Sequence, residues 1–95
     1  SDANLKSNIQ PLTNALHTIQ QLMGKSYRLK NDQKTSYGFV AQDVQKVLPD
    51  LVGEDIDGKL MLSYLEFIPF LVEAVKDLST EINQLRDLVL RTNAP

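Results

Sequence analysis

Leu71, Val75, Leu78, Ile82, Leu85 and Val89 recur at alternating steps of four and three residues. That is the 3.5-residue repeat of a coiled-coil seam. Such a narrow apolar stripe is buried only against another helix, so it constrains the fold more than any other feature. Each of these side chains gains about 1.5–3 kcal/mol on full burial, which a lone helix forgoes. The stretch ahead of the seam helix is short enough that a single small core is marginal. The pattern therefore predicts an oligomer. β-Branched Val75, Ile82 and Val89 at one seam position, with Leu71, Leu78 and Leu85 at the other, favour a parallel dimer in short coiled coils. The seam also divides the chain into a globular part over 1–62 and a C-terminal coiled-coil helix over 63–95.

Within the globular part, Leu12, Ala15, Leu16, Ile19, Leu22 and Met23 share one face of a helical projection. With Pro11 suited to a first turn and Gly24 to a stop, they predict a helix over 11–23. Tyr27 to Lys30 alternates as a short strand does, and NDQKTS (31–36) reads as a loop. YGFVA (37–41) favours β structure, and AQDVQKVLP then sets Val44, Val47 and Leu48 at helical spacing until Pro49. Asp57-Gly58 between apolar residues predicts a hairpin over 51–62. Ser63 and Glu66 have capping-box spacing, and Pro69 should kink the helix they open or split off a short lead-in. The expected fold class is mainly α, a small α+β domain with helices plus a short hairpin, ending in a long coiled-coil helix.

Composition narrows the chemistry. Ten basic and twelve acidic side chains among 95 residues give a net charge of −2, with no polycation for nucleic acid. The chain has no cysteine, which excludes disulfides, thiolate metal sites and cysteine nucleophiles. His17 is the only histidine, so one chain assembles neither a His-rich metal site nor a Ser-His-Asp triad. No apolar run approaches the roughly 18 residues of a membrane span, and no signal peptide opens the sequence. Cofactor, metal, small-molecule substrate, nucleic acid and membrane are all expected to be absent from its function.

The segments SDANLKSNIQPLTNAL, GKSYRLK, YGFVAQDVQKVLPDLV and DGKLMLSYLEFIPFLVEAVKDL, taken together, carry a family resemblance over Ser1 to about Leu78. They resemble the C-terminal intramolecular chaperone domain of phage tailspikes and tail fibres, the endosialidase type. The same domain occurs in phage neck appendages and in the myelin regulatory factor group of membrane-tethered transcription factors. The most specific parts are S-D-x-x-L-K at the start and G-F-V-A-Q-D-V with L-P shortly after. The resemblance implies a homotrimer that assembles the fibre upstream of it and then cuts itself off, in the cytoplasm of an infected bacterium during virion assembly. It is then expected to be absent from the mature virion. In that family the scissile bond lies immediately before the serine of S-D-x-x-L-K, here Ser1, so the chain is expected to begin where the released product begins.

The implied chemistry has a physical form. A serine hydroxyl needs a base to take its proton near neutral pH. With no usable histidine, a lysine serves if burial or nearby positive charge lowers its pKa from about 10.4 towards 7–8. Lys6 is the candidate nearest to Ser1. Positions i and i+5 stand about 140° apart on a helix and up to roughly 16 Å apart when extended. The segment must bend, then, or Lys6 must serve a neighbouring chain's Ser1. Ser1's own α-amino group, acting as the base of an N-terminal hydrolase, is a lesser variant.

Other features read as structure. His17 falls about 100–140° off the apolar face of the first helix and is expected in solvent. Aligning Gly58 with the invariant glycine of a calcium loop sets Gly53 and Tyr64 where carboxylates are needed, so Asp55-Ile56-Asp57-Gly58 is a turn. Lys25, Arg28, Lys30 and Lys34 read as a solvated basic face, and Phe39, Phe67 and Phe70 as core. Gln42 and Asp43 are expected to cap a helix or to hydrogen-bond between chains. Two rivals remain: a permanently attached oligomerisation module with an idle serine and lysine, and a domain whose cut frees a DNA-binding segment from a membrane. The ending Asn93-Ala94-Pro95, with no span, favours the phage reading over the latter.

Overall fold

Short apolar runs separated by turn residues produce short elements around one long helix. A computed structural model describes residues 1–94. A one-turn 3₁₀ helix, Ala3–Leu5, is followed by α1 (Ala15–Ile19), β1 (Lys25–Tyr27), β2 (Ser36–Gly38), α2 (Ala41–Val47), a 3₁₀ turn Pro49–Leu51, β3 (Val52–Glu54) and β4 (Leu60–Leu62). A 3₁₀ lead-in, Tyr64–Glu66, then opens α3 (Phe67–Thr92). The mainly α, small α+β class follows. β1 and β2 form one antiparallel hairpin, with Ser26 opposite Tyr37, and β3 and β4 form another, with Gly53 opposite Met61.

The second hairpin matches the Asp57-Gly58 signal. Asp55 closes it: one carboxylate oxygen accepts from the Asp57 and Lys59 amides, each at 2.9 Å. Gly58 sits at φ +78°, a conformation that side-chain-bearing residues rarely adopt. α2 also lies where the apolar spacing and Pro49 put it.

Three local expectations need correction. The first helix spans only Ala15–Ile19, because Asn14 takes the left-handed conformation at φ 60° and prevents helical continuation from Pro11. Leu12, Leu16, Ile19 and Leu22 remain partly buried, so the apolar spacing recorded burial more faithfully than helix; Met23 is 66% exposed. The first strand lies at Lys25–Tyr27 rather than 27–30, set by its pairing with Ser36–Gly38. The Ser63–Glu66 capping box does not form. The Ser63 amide, which Glu66 would have accepted in such a box, donates instead to the Leu51 carbonyl at 2.9 Å. The short lead-in expected ahead of Pro69 is present as the 3₁₀ turn Tyr64–Glu66, and Pro69 itself is the third residue of α3, where its missing N–H forfeits no intrahelical bond.

The core is small. Val44, Leu51 and Phe67 are buried together, with Phe39, Leu48, Leu62 and Phe70 among the side chains packed on them. Ala15 of α1 and Ala74 of α3 are also buried, and α1 lies along α3. Their small side chains allow a close approach of the two helices. The Leu16 amide donates to Asp77 Oδ2 at 3.2 Å, tying the start of α1 to α3. His17 is exposed, as its position off the apolar face requires.

Candidate functional site

Ser1 and Lys6 bracket the N-terminal 3₁₀ turn. Asp2 caps that turn, its side chain accepting from the Asn4 amide at 2.9 Å. The Leu5 amide donates to the Asp2 carbonyl and the Lys6 amide to the Ala3 carbonyl, each at 3.1 Å. A 3₁₀ turn rises about 2 Å per residue against about 3.3 Å when extended. The segment between the two residues is therefore shorter than an extended strand, and both are exposed on either side of the turn. Among the described residues, no hydrogen bond joins Ser1 to Lys6.

The seam forms a second exposed feature. Leu71, Val75, Leu78, Ile82, Leu85 and Val89 all lie on α3, and every one is at least 43% exposed. α1 covers a different face of α3, the one carrying Ala74 and Asp77. The seam is thus left bare by its own chain from Leu71 to Val89 of an unbroken helix.

Gln42 and Asp43 are exposed in the first turn of α2. Neither supplies a side-chain cap, and the N-cap position is Val40. The acidic Asp43 still complements the positive end of the helix dipole. Lys25, Arg28, Lys30 and Lys34 are exposed on the first hairpin and its loop. Phe39 and Phe67 stack with centroids 5.1 Å apart, and Tyr64 joins them at 6.2 and 5.9 Å.

Sequence reasoning missed two arrangements here. The Phe39 amide donates to the Tyr64 hydroxyl at 3.0 Å, so the lead-in to α3 latches the first hairpin. A cleft also opens between the two hairpins, lined among others by Lys25, Tyr27, Phe39, Val40, Leu60 and Tyr64. These residues come from β1, the link between β2 and α2, β4 and the lead-in to α3, and share no spacing, so no sequence signal announces them. No helix among the described residues is long and apolar enough to cross a membrane.

Comparison with known proteins gives these features a family. Over 99 aligned residues the chain is 38% identical to long tail fiber protein Gp37 of Enterobacteria phage K3, covering 95% of this chain and 8% of that protein. Gp37 of Enterobacteria phage T2 gives the same identity over 95% of this chain and 7% of the relative. Gp37 of Enterobacteria phage M1 is 32% identical over 96 residues, with 90% and 38% covered. The chain spans a small part of the K3 and T2 relatives and well under half of the M1 protein. Residues 1–53 match the family described as chaperone of endosialidase, which is classed among the peptidases. The S-D-x-x-L-K turn and the G-F-V-A-Q-D-V segment both lie inside that match, and the chain belongs to the chaperone of endosialidase family.

Proposed function

We propose that this domain is an intramolecular chaperone of a phage tail fibre. It trimerises through α3, assembles the fibre segment upstream of it, and releases itself by cleavage before Ser1. The observation that carries the reading is the bare seam. A helix of 26 residues whose apolar stripe its own chain leaves bare gains burial by pairing with other helices, and three copies is the state that the family resemblance implies. Joining three fibre strands to one trimeric hub turns a third-order encounter into an intramolecular one. The globular part over 1–62 carries the cleavage segment, and the C-terminal part, through α3, carries the assembly.

In the cleavage step, Lys6 Nζ as the neutral amine takes the Ser1 hydroxyl proton while Oγ attacks the carbonyl carbon of the preceding residue. The C–N bond breaks, the Ser1 nitrogen leaves as an amine with that proton, and the acyl group rests on Oγ as an ester. Water then hydrolyses the ester, giving the upstream carboxylate and the free Ser1 hydroxyl. The capped turn over Ala3–Leu5 supports this reading because it shortens the separation that a fully extended strand would impose. Cleavage of this kind waits for assembly if the neighbouring chain completes the site. Release removes the folding aid and leaves the fibre kinetically trapped. The reaction belongs in the cytoplasm of the infected bacterium, and the released domain is absent from the finished virion.

The test is a precursor extended upstream of Ser1, beside Ser1→Ala and Lys6→Ala versions, on a denaturing gel. The parent should release a fragment starting at Ser1, and both variants should stay whole. A folded, oligomeric parent that stays whole would leave a non-catalytic coiled-coil oligomerisation module.

A further inference from the structure

Beyond the seam the chain leaves many apolar side chains exposed, and two uncovered features among them are of complementary shape, an arm and a cleft. One is the N-terminal arm, on which Leu5 and Ile9 are 84% and 66% exposed. The other is the cleft of about 510 Å³ between the hairpins, which Tyr27, Phe39, Val40, Leu60 and Tyr64 line together with Lys25. We propose that the arm of one copy seats in this cleft of a neighbouring copy, with Leu5 and Ile9 as its anchors. The proposal rests on the oligomer argued above and says where that oligomer holds its Ser1–Lys6 turn.

Surface area argues for a second interface beyond the seam. The chain exposes 8209 Å², about 2,700 Å² more than the roughly 5,500 Å² expected of a compact chain this size. A standard interface buries about 800 Å² per partner. The excess thus corresponds to several such faces, while the seam is one stripe of six half-exposed side chains.

The arm's own conformation argues for exchange between copies. Pro11 and Leu12 line one pocket with Ile68, Pro69 and Val72, so the arm leaves the body at the start of α3. Asn8, at φ 55°, turns the chain, and the Asp2-capped 3₁₀ turn fixes its tip with Leu5 in solvent. A copy folding by itself therefore leaves both anchors and the cleft wet, and a second copy supplies each with its complement.

Seating also suits the chemistry assigned to the turn. The titratable groups lining the cleft are Lys25, Tyr27 and Tyr64, with no carboxylate among its lining residues. A lysine brought into apolar surroundings beside another ammonium group is one whose neutral form is favoured. Lys6 directly follows the Leu5 anchor in the chain.

The chain has no cysteine, so engineered pairs report contacts without background. One tagged version carries Leu5→Cys and another Val40→Cys; a second pair uses Ile9→Cys and Leu60→Cys, and Leu5→Cys with Ile56→Cys is the control. The two versions of each pair are refolded together, oxidised and run on a non-reducing gel, with sedimentation of the same samples. A disulfide-linked dimer of the two versions, well above the control, is the expected result. Oligomers in which neither pair links above control overturn the arm exchange and leave the trimer standing. When both cysteines of a pair are placed on one chain, monomers closed by an internal disulfide overturn it too, in favour of seating within a chain. A protein that sediments as a monomer at every concentration overturns both this and the oligomeric reading.

Discussion

Tyr64 does more for the fold than its exposure implies. It is 47% exposed, yet its hydroxyl accepts from the Phe39 amide and its ring stands in the Phe39–Phe67 cluster. Gly38, the last residue of β2, is where the tyrosine comes closest: a Cβ there would run into the Tyr64 hydroxyl. The glycine is needed for space rather than for backbone freedom, since its φ is not positive. Tyr64→Phe should cost about 0.5–1.5 kcal/mol, the net worth of one hydrogen bond. Gly38→Ala should cost about 1–3 kcal/mol by overpacking. Because the clash is with the hydroxyl, the alanine should cost less in the Tyr64→Phe background. Urea unfolding of the four versions checks this, and strictly additive losses would refute the contact.

At the scale of elements, α1 is too short to stand by itself. Five residues fall far below the length at which an isolated helix holds in water, and Asn14 gives it no side-chain cap. Its cap comes from another helix, through Asp77. Asp77→Ala should therefore destabilise by about 0.5–2 kcal/mol, the usual worth of a cap. The local sign is faster hydrogen exchange at the Leu16 amide, with amides of β3 and β4 little changed. Ala74 and Ala15, both buried, set how closely the two helices pack. Ala74→Leu should cost about 1–3 kcal/mol, read as a fall in melting temperature, because the added volume finds α1 in its way.

The whole molecule is open. Its radius of gyration is 18.6 Å, against about 12.4 Å for a compact chain of the same length. Its extents of 66 × 42 × 21 Å show a small body with a projecting helix. Such a shape leaves the apolar stripe of the projecting helix uncovered, and the proposed trimer covers it. Ile82→Asp, in the middle of the seam at a position 55% exposed, should leave the globular fold intact and abolish assembly. Sedimentation should show monomers, while circular dichroism keeps the signal of the small domain. The parent's melting temperature should rise with protein concentration, as mass action requires of an oligomer, and that of Ile82→Asp should not.

Local chemistry written into neighbouring residues was legible without coordinates. Asp57-Gly58 placed a hairpin, Pro49 ended α2, the four-three spacing placed the long helix, and S-D-x-x-L-K pointed to the family. Each signal is carried by residues close in sequence, where steric limits on the backbone and side-chain period act directly. The length of α1, the register of β1 and the unmade capping box were not legible. They depended on Asn14 turning left-handed, on the partner strand Ser36–Gly38, and on the distant Leu51 carbonyl taking the Ser63 amide. The Asp77 cap, the Tyr64 latch and the cleft between the hairpins were likewise decided only in the tertiary structure. Each joins groups far apart along the chain, and only the folded packing determines which distant donor meets which acceptor.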